Sequence, residues 1–228
     1  MKITWFGHSA FRLETAKSVI LIDPFITHNP VATVKADAAG RGATHVVLTH
    51  GHEDHVGDAE SICKANGAML IAVHEICEFL GGKGVENCTG SNPGGTIYTT
   101  DFDVSFVRAD HSSSYDGQYM GNPCGVVIRT REGKSVYHMG DTDIFGDMAL
   151  INEIHRPAVG IVPIGDRYTM NPRTAALACR RFFQFETIIP CHYKTFPVLV
   201  QSPDKFIEEL GGDGAKVKAM KPGESLTL

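Results

Sequence analysis

The feature that most constrains this chain is the stretch His50-Gly51-His52-Glu53-Asp54-His55, which directly follows an apolar run. The run, Val46-Val47-Leu48-Thr49, has the length and β-branched content of a buried strand. Open α/β sheets bind ligands at the carboxyl ends of their strands. The histidine-rich stretch therefore predicts a binding site at one edge of a sheet.

Four residues of the stretch are candidate donors: three imidazoles and one carboxylate, on His50, His52, His55 and Asp54. His50 and His52 are two residues apart, so their side chains point to the same side of an extended segment. Imidazole nitrogen and carboxylate oxygen suit zinc, iron, nickel or manganese, and no thiolate is present to make a closed structural site. A chance accumulation of loop histidines is a poor alternative, because polar groups this dense need a partner. We predict an open, catalytic metal centre.

Length and composition predict an ordinary globular protein. The chain has 228 residues, of which 43% are hydrophobic and 21% charged, so it can bury a substantial core, and we expect a single domain over residues 1–228. No apolar run approaches the roughly 18 residues of a membrane span. The first eight residues lack a basic segment followed by a long apolar one, as in secretory signals. We expect a cytoplasmic protein with no membrane partner.

Charge and cysteine usage narrow the partners further. The formal net charge of −5 provides no attraction for phosphate backbones or anionic lipid, which argues against nucleic-acid binding. Six cysteines show no C-x-x-C spacing and lie mostly in apolar segments, which is typical of reduced, buried thiols. We predict no disulfide. A homo-oligomer remains compatible with the sequence.

The first half of the chain predicts strands followed by alternating strands and helices. Alternation over residues 3–5 and 11–13, with the apolar run 19–22, predicts an antiparallel sheet, which Asp23-Pro24 ends. Residues 26–42 predict a loop with one helical turn. Helices are expected from 59 to 66 and from 74 to 80, ended by Asn66-Gly67 and Gly81-Gly82, around a buried strand at 68–73.

The second half predicts a second cluster of strands, introduced by the glycines at 90, 94 and 95. Strands are expected at 96–98, 102–107, 126–128, 135–137, 159–164, 187–190, 217–220 and 225–228, and Glu132-Gly133 predicts a hairpin. Helices are expected at 149–155, 171–183 and 206–210. Polar candidates follow several of these strands, in particular His111, Gly140-Asp141-Thr142 and His192.

These motifs resemble the landmarks of a known family. The HxHxDH pattern at 50–55 and Gly140-Asp141-Thr142 are similar to signatures of the metallo-β-lactamase superfamily, a group of metal-dependent hydrolases. The resemblance implies an α/β fold, a four-layer αββα sandwich of two mixed sheets with helices outside. It also implies that His50, His52 and His111 hold one ion and that Asp54, His55 and His192 hold a second. Asp141 would bridge them.

The N-terminal motif points to a branch of that superfamily. Trp5-Phe6-Gly7-His8-Ser9 before Asp23-Pro24-Phe25 resembles proteins that include ascorbate 6-phosphate lactonases, phosphatidylethanolamine-type phospholipases D and a set described only as metal-dependent hydrolases. The short length and Cys191-His192-Tyr193-Lys194-Thr195 match the last set best. The resemblance implies that Asp23 orients metal-bound groups, although a simple turn residue is equally compatible. His8 would lie beside the metals or a substrate anion, or be a structural imidazole.

The predicted function is hydrolysis of a small ester, lactone or phosphodiester by metal-activated hydroxide. Two divalent ions are expected, zinc first, with manganese, iron or nickel also suited to the donors. Asp54 and Asp141 are the candidates for guiding the proton, with Asp23 and His8 as further catalytic candidates. Arg167 and Lys194 would bind a small substrate that is anionic, or would be solvated surface charges.

Other classes stay open at this stage. A mononuclear iron dioxygenase of the same fold would use His50, His52 and His111 alone, and an RNA-processing nuclease shares the ligand set. The acidic balance and the lack of a basic arm argue against the nuclease. A non-enzymatic module that had lost its metals would show gaps among the seven ligand positions, and the sequence has none.

Overall fold

The larger of two sheets is built mostly from the first half of the chain, in a computed structural model that describes residues 1–228. Across this first sheet the order is β15 (Ser225–Thr227), β1 (Lys2–Gly7), β2 (Ala10–Glu14), β3 (Val19–Ile22), β4 (His45–Val47), β5 (Met69–Val73) and β6 (Cys88–Ser91). Strands β15 to β3 pair antiparallel, as predicted for the N-terminal segments, and β3 to β6 pair parallel.

The second sheet has six strands, all between residues 96 and 191. Their order is β14 (Thr187–Cys191), β13 (Val159–Pro163), β12 (Ser135–His138), β11 (Cys124–Thr130), β8 (Phe102–Arg108) and β7 (Thr96–Tyr98). The predicted hairpin joins β11 to β12, with Gly133 in its turn at a φ of 84°. A separate two-stranded ribbon pairs β9 (Ser114–Tyr115) with β10 (Gln118–Tyr119).

Short helices connect these strands. They are α1 (Ala36–Ala39), α2 (Glu53–Val56), α3 (Ala59–Asn66), α4 (His74–Gly82), α5 (Met148–His155), α6 (Pro172–Phe182), α7 (Asp204–Leu210) and a 3₁₀ helix (Gly211–Lys216). The Asn171 side chain accepts the backbone N–H of Thr174 and caps α6, as Asn before Pro predicts. None of the helices combines the length and the apolar character that a bilayer crossing requires.

The core joins the two sheets. A contiguous cluster of 61 buried side chains draws on strands of both sheets, and α3 and α4 pack against β4, β5 and β6. The largest fully buried side chains include Trp5 and Phe11 of the first sheet and Phe102, Phe106 and Tyr137 of the second. This two-sheet arrangement with packed helices is the predicted αββα sandwich.

Three local predictions were wrong. Residues 217–220 make only an isolated bridge between Val217 and Ile188, because the 3₁₀ helix ends directly before them at Lys216 and Pro222, which has no backbone N–H to donate, follows closely. Gly90 lies in β6 and so belongs to the first sheet. Helix α4 continues through Gly81 and Gly82, where open space surrounds both residues.

Strand directions bring many loops to one edge of the sandwich. Strand β1 runs in the same direction as β3 and β4, because β2 is antiparallel to both of its neighbours. In the second sheet, β8, β12, β13 and β14 also share one direction. The segments after these strands carry all the candidate ligands.

Candidate metal centre

The seven predicted ligands lie together although they are spread over the chain from residue 50 to 192. His50 and His52 follow β4, and Asp54 and His55 lie in α2, which begins directly after His52. The others follow strands of the second sheet: His111 after β8, Asp141 after β12 and His192 after β14.

The first ligand group consists of His50, His52 and His111. One ring nitrogen from each lies within 4.8 Å of the others. Nε2 of His50 and Nδ1 of His52 are 3.0 Å apart. His50 is fully buried, whereas His52 and His111 are half-buried and line a cavity. This geometry suits three donors on one face of an ion.

The second ligand group consists of Asp54, His55 and His192. Their donor atoms also lie within 4.8 Å of one another, together with a ring nitrogen of His8. His55 and His192 are buried, and Asp54 keeps part of its carboxylate open to the cavity.

Asp141 lies between the two groups. Its Oδ1 is 3.3 Å from His55 Nε2, and its Oδ2 is 3.0 Å from His192 Nε2 and 3.5 Å from His111 Nε2. Although these atoms are close, Asp141 Oδ1, His55 Nε2 and His192 Nε2 make no hydrogen bond with suitable geometry. Donor atoms about 2.0–2.1 Å from one tetrahedral ion lie about 3.3 Å apart. The convergence therefore fits metal ligands better than a hydrogen-bond network.

Asp23 and Thr49 determine which ring nitrogens are free. Asp23 Oδ2 accepts hydrogen bonds from His55 Nδ1 at 2.7 Å and from the Thr49 hydroxyl at 2.7 Å. Since the only hydroxyl proton of Thr49 goes to Asp23, its oxygen accepts from His50 Nδ1 at 3.0 Å. The Nε2 atoms of His50 and His55 consequently keep their lone pairs for an ion.

The charges at the second group are strongly coupled. Burial disfavours a charged His55, but Asp141 and Asp23 outweigh it and hold the pKa of His55 well above its usual value. Burial by itself would raise the pKa of Asp141, whereas His192 and His55 hold that pKa well below its usual range. In the metal-free protein a proton thus compensates the carboxylates at the place where a cation would bind.

The first group has the opposite tendency. Burial lowers the pKa of His50, His52 and His111, with His55 adding to the effect in each case. Neutral imidazole is the form that coordinates a metal. The protein therefore presents this group ready to bind an ion.

A cavity of about 360 Å³ opens above both groups. Its lining consists of His52, Asp54, His111, Ser112, Asp141, Tyr168 and His192. The two predicted substrate cations lie outside this lining. Arg167 is exposed next to Tyr168, and Lys194 is exposed and lines a different cavity with Trp5 and Tyr193. Their role in anion binding stays a prediction.

The backbone is strained where it delivers several of these side chains. His8, Asp23 and His192 have φ angles of 54°, 45° and 55°, a left-handed conformation that non-glycine residues rarely adopt. Such strain persists only where the surroundings impose it, and it concentrates at functional sites.

Sequence reasoning missed several residues around the ligands. The sequence predicts Thr49 as the end of a strand and Ser112 as part of a polar loop, solvated or with hydroxyls that hold substrate, but it pairs neither with a ligand ring. In the structure the Ser112 hydroxyl lies 3.3 Å from His52 Nε2. Tyr168 and Thr195 were not assigned a role. For Thr49 and Ser112, adjacency to a ligand histidine was the available signal, because a ligand ring usually hydrogen-bonds through its second nitrogen.

Comparisons with known proteins agree with this geometry. Residues 2–192 match a family model described as a beta-lactamase superfamily domain. A UPF0173 metal-dependent hydrolase from Methylocella silvestris is 57% identical over 96% of both chains, and one from Chelativorans is 54% identical over the full length of both. The solved structure of Igni18, a metallo hydrolase from Ignicoccus hospitalis, has a TM-score of 0.89 at 39% identity, covering 99% of this chain and 97% of that one. The chain therefore belongs to the metallo-β-lactamase superfamily.

Proposed function

We propose that this protein is a hydrolase that uses two divalent ions, with zinc expected, to cleave an ester, lactone or phosphodiester bond in a small substrate. The observation that carries the proposal is the convergence of two ligand groups on Asp141, both facing one cavity. The two similar bacterial proteins from Methylocella silvestris and Chelativorans are both named metal-dependent hydrolases, which supports the same reaction class.

The donor set fits the ions, and the cavity fits a small substrate. His50, His52 and His111 would hold one ion and Asp54, His55 and His192 the other, with Asp141 shared. When bound, the ions supply Lewis acidity, which lowers the pKa of a coordinated water towards neutrality and polarises the substrate's carbonyl or phosphoryl oxygen. Beside Asp141, the cavity is lined by four other ligands, His52, Asp54, His111 and His192. A substrate in the cavity would therefore lie next to ligands of both ions.

The remaining steps fall to the chain's own residues. Burial would raise the pKa of Asp54, but His55 and a hydrogen bond from His8 hold it well below its usual range. Asp54 is thus ionised and accepts a hydrogen bond from the attacking water, which it orients without keeping the proton. Tyr168 and Ser112 line the same cavity, and each has a hydroxyl that can donate to a polar substrate group.

The second ligand group favours this proposal over the dioxygenase. A mononuclear iron enzyme needs only one set of donors with open positions. Here Asp54, His55 and His192 form a second set, and Asp23 orients His55 from behind. This second set favours a dinuclear hydrolase.

The test is elemental analysis of protein purified without added metal, followed by a substrate panel. We expect up to two divalent ions per chain and hydrolysis of a lactone, carboxylic ester, thioester or phosphodiester that a chelator abolishes. The double variant His52→Ala, His55→Ala should lose bound metal. Its matched control, His28→Ala with His74→Ala, removes two exposed imidazoles outside the site and should retain it.

Three results would contradict the proposal. Full metal content in the His52→Ala, His55→Ala protein would remove the ligand assignment. A single iron with oxygen consumed in proportion to turnover would establish the dioxygenase. Metal-dependent cleavage of RNA, with no reaction on the small substrates, would establish the nuclease.

A further inference from the structure

His8 is fully buried behind the second ligand group, and both of its ring nitrogens have partners. Nε2 lies 2.9 Å from Asp54 Oδ2, and Nδ1 lies 3.0 Å from the Thr195 hydroxyl. An ionised carboxylate only accepts hydrogen bonds, so Nε2 carries a proton and donates to Asp54. The ring cannot turn without losing one of these two bonds.

The bond to His8 occupies one oxygen of Asp54. Oδ2 accepts the hydrogen bond from the imidazole, and Oδ1 has no hydrogen bond from His8. His8 does not line the cavity, so it acts from the protein side of the carboxylate. The same Oδ2 lies 3.9 Å from His192 Nε2, so the bond from His8 holds the carboxylate next to another ligand of the second group.

His8 also packs against His192. The two ring centroids are 4.0 Å apart, and the His192 backbone N–H donates to the His8 carbonyl at 3.0 Å. Nδ1 of His192 has no hydrogen-bond partner in the protein. Metal-ligating histidines usually have such a partner to hold their orientation. At His192, packing against His8 supplies that constraint.

Segments distant in sequence build this contact. His8 lies in the turn between β1 and β2 of the first sheet. Thr195 follows β14, which is a strand of the second sheet. The His8 carbonyl also accepts the Trp5 indole N–H at 3.0 Å, which holds the turn. Both His8 and His192 have positive φ angles, so the strained backbone of each segment meets at this point.

We propose that His8, held by Thr195, is a positioning residue that orients Asp54 and His192 for the second ion. The inference rests on the proposed function, because it requires that a second ion binds there. His8 and Thr195 contact neither the cavity nor a substrate within it. Substitution of either residue should therefore lower metal affinity, and it should lower the affinity for the second ion more than that for the first.

The experiment is stepwise zinc titration of the metal-free protein, with cobalt absorption as a second readout. Thr195→Val keeps the shape of the side chain and removes its hydroxyl, and Thr195→Ser restores the hydroxyl. Thr130→Val is the matched control, because Thr130 is also buried and its hydroxyl donates to the Lys134 carbonyl, far from the site. Thermal unfolding of each metal-free protein measures any general loss of stability.

We expect Thr195→Val to weaken the second ion by about 10–100-fold, with the first ion unchanged, and Thr195→Ser to restore binding. Thr130→Val should leave both affinities unchanged. His8→Gln, whose amide can still donate to Asp54, should lose less affinity than His8→Ala. In cobalt protein, the absorption of the second ion should change in His8→Ala.

Two results would overturn the proposal for His8. The first is a Thr195→Val protein that binds both ions as the unaltered protein does. The second is a Thr195→Val protein that binds both ions equally weakly, in step with a lower unfolding temperature. Unaltered protein that binds fewer than two ions would instead contradict the dinuclear function, and the inference with it. The control titration of unaltered protein separates these failures.

Discussion

The protein holds its two ligand groups in different ways. In the first group, His52 and His111 are half-buried, and the only side-chain partner of His52 outside the ligands is the exposed Ser112. In the second group, His55 and His192 are buried, with Asp23 bonded to one ring and His8 packed on the other. The half-buried pair of the first group depends mainly on its loops, whereas the buried rings of both groups, including His50 on Thr49, depend on contacts inside the protein.

This difference has an energetic consequence. A buried hydrogen-bonded group is costly to leave unpaired, and more so when it is charged, so changes behind the second group should propagate to its ligands. At His52 and His111, which line the cavity, water can replace a lost contact, whereas His50 is buried and bonded to Thr49. The two ions should therefore respond differently to changes in residues that do not bind them.

Asp141→Asn should have the largest effect, because Asp141 contacts rings of both groups. A neutral amide bridges two cations poorly and loses several kcal/mol of charge stabilisation, so we expect kcat to fall by roughly 10²–10³-fold. Steady-state kinetics with metal analysis tests this. Asp143→Asn, an exposed neighbour, is the control. Activity within a fewfold of the unaltered enzyme would remove Asp141 from the bridging position.

Asp23→Ala should come next and should weaken both ions. Asp23 bonds His55 directly and His50 through Thr49, so we expect about a 10–100-fold loss of metal affinity with the fold intact. Thr49→Val should affect the first ion more, since it breaks only the link to His50. Zinc competition titrations compare the two variants. Unchanged affinity and turnover in Asp23→Ala would reduce Asp23 to a turn residue.

The pH dependence of the metal-free protein should come from the second group. Asp141 and Asp23, against the opposing effect of burial, raise the pKa of His55 well above 6.5. Protonated His55 therefore stabilises the folded protein fully at pH values below the pKa that this histidine has in the unfolded chain, about 6.5. Above that pH the stabilisation declines by at most about 1.4 kcal/mol per pH unit. The histidines of the first group have lowered pKa values, so they are already neutral in both the folded and the unfolded protein above about pH 6.5. Their contribution to stability does not change with pH in that range.

We therefore expect the unfolding temperature of the metal-free protein to fall between about pH 7 and 8, below the ordinary pKa of cysteine. Zinc-loaded protein should not show this fall, because the ion replaces the proton on His55. Calorimetry of both forms at several pH values measures the slopes. The same slope in metal-free His55→Gln would assign the effect to another group.

Arg167→Ala and Lys194→Ala should have the smallest effects. Both side chains are exposed and lie outside the cavity lining, so screening by solvent limits their attraction for a substrate. If they anchor an anionic substrate, KM should rise with kcat unchanged, and less at high salt. A neutral substrate of similar size is the control. A fall in kcat with unchanged KM would contradict an anchoring role.

Local patterns in the sequence already predicted much of the architecture. Apolar β-branched runs predicted β3 and β5, and Asn66-Gly67 and Glu132-Gly133 marked a helix end and a hairpin turn. Strands depleted in such residues were harder to recognise. Strand β6, with the sequence CTGS, was missed because it forms by pairing with β5 and not through its own propensity.

The cluster of candidate ligands at residues 50–55 could be predicted from the amino-acid sequence, because four donors within six residues need no fold to bring them together. His111, Asp141 and His192 were predicted through a family resemblance, since no spacing rule places them near residue 50. The hydrogen-bond and packing partners of these ligands could be known only from the tertiary structure. Thr195 lies 187 residues from His8, and strand direction alone brings them within hydrogen-bond distance. The tertiary structure also shows that Tyr168 lines the cavity while its neighbour Arg167 does not. The sequence could not predict this difference, because it depends on the direction in which a loop points its side chains.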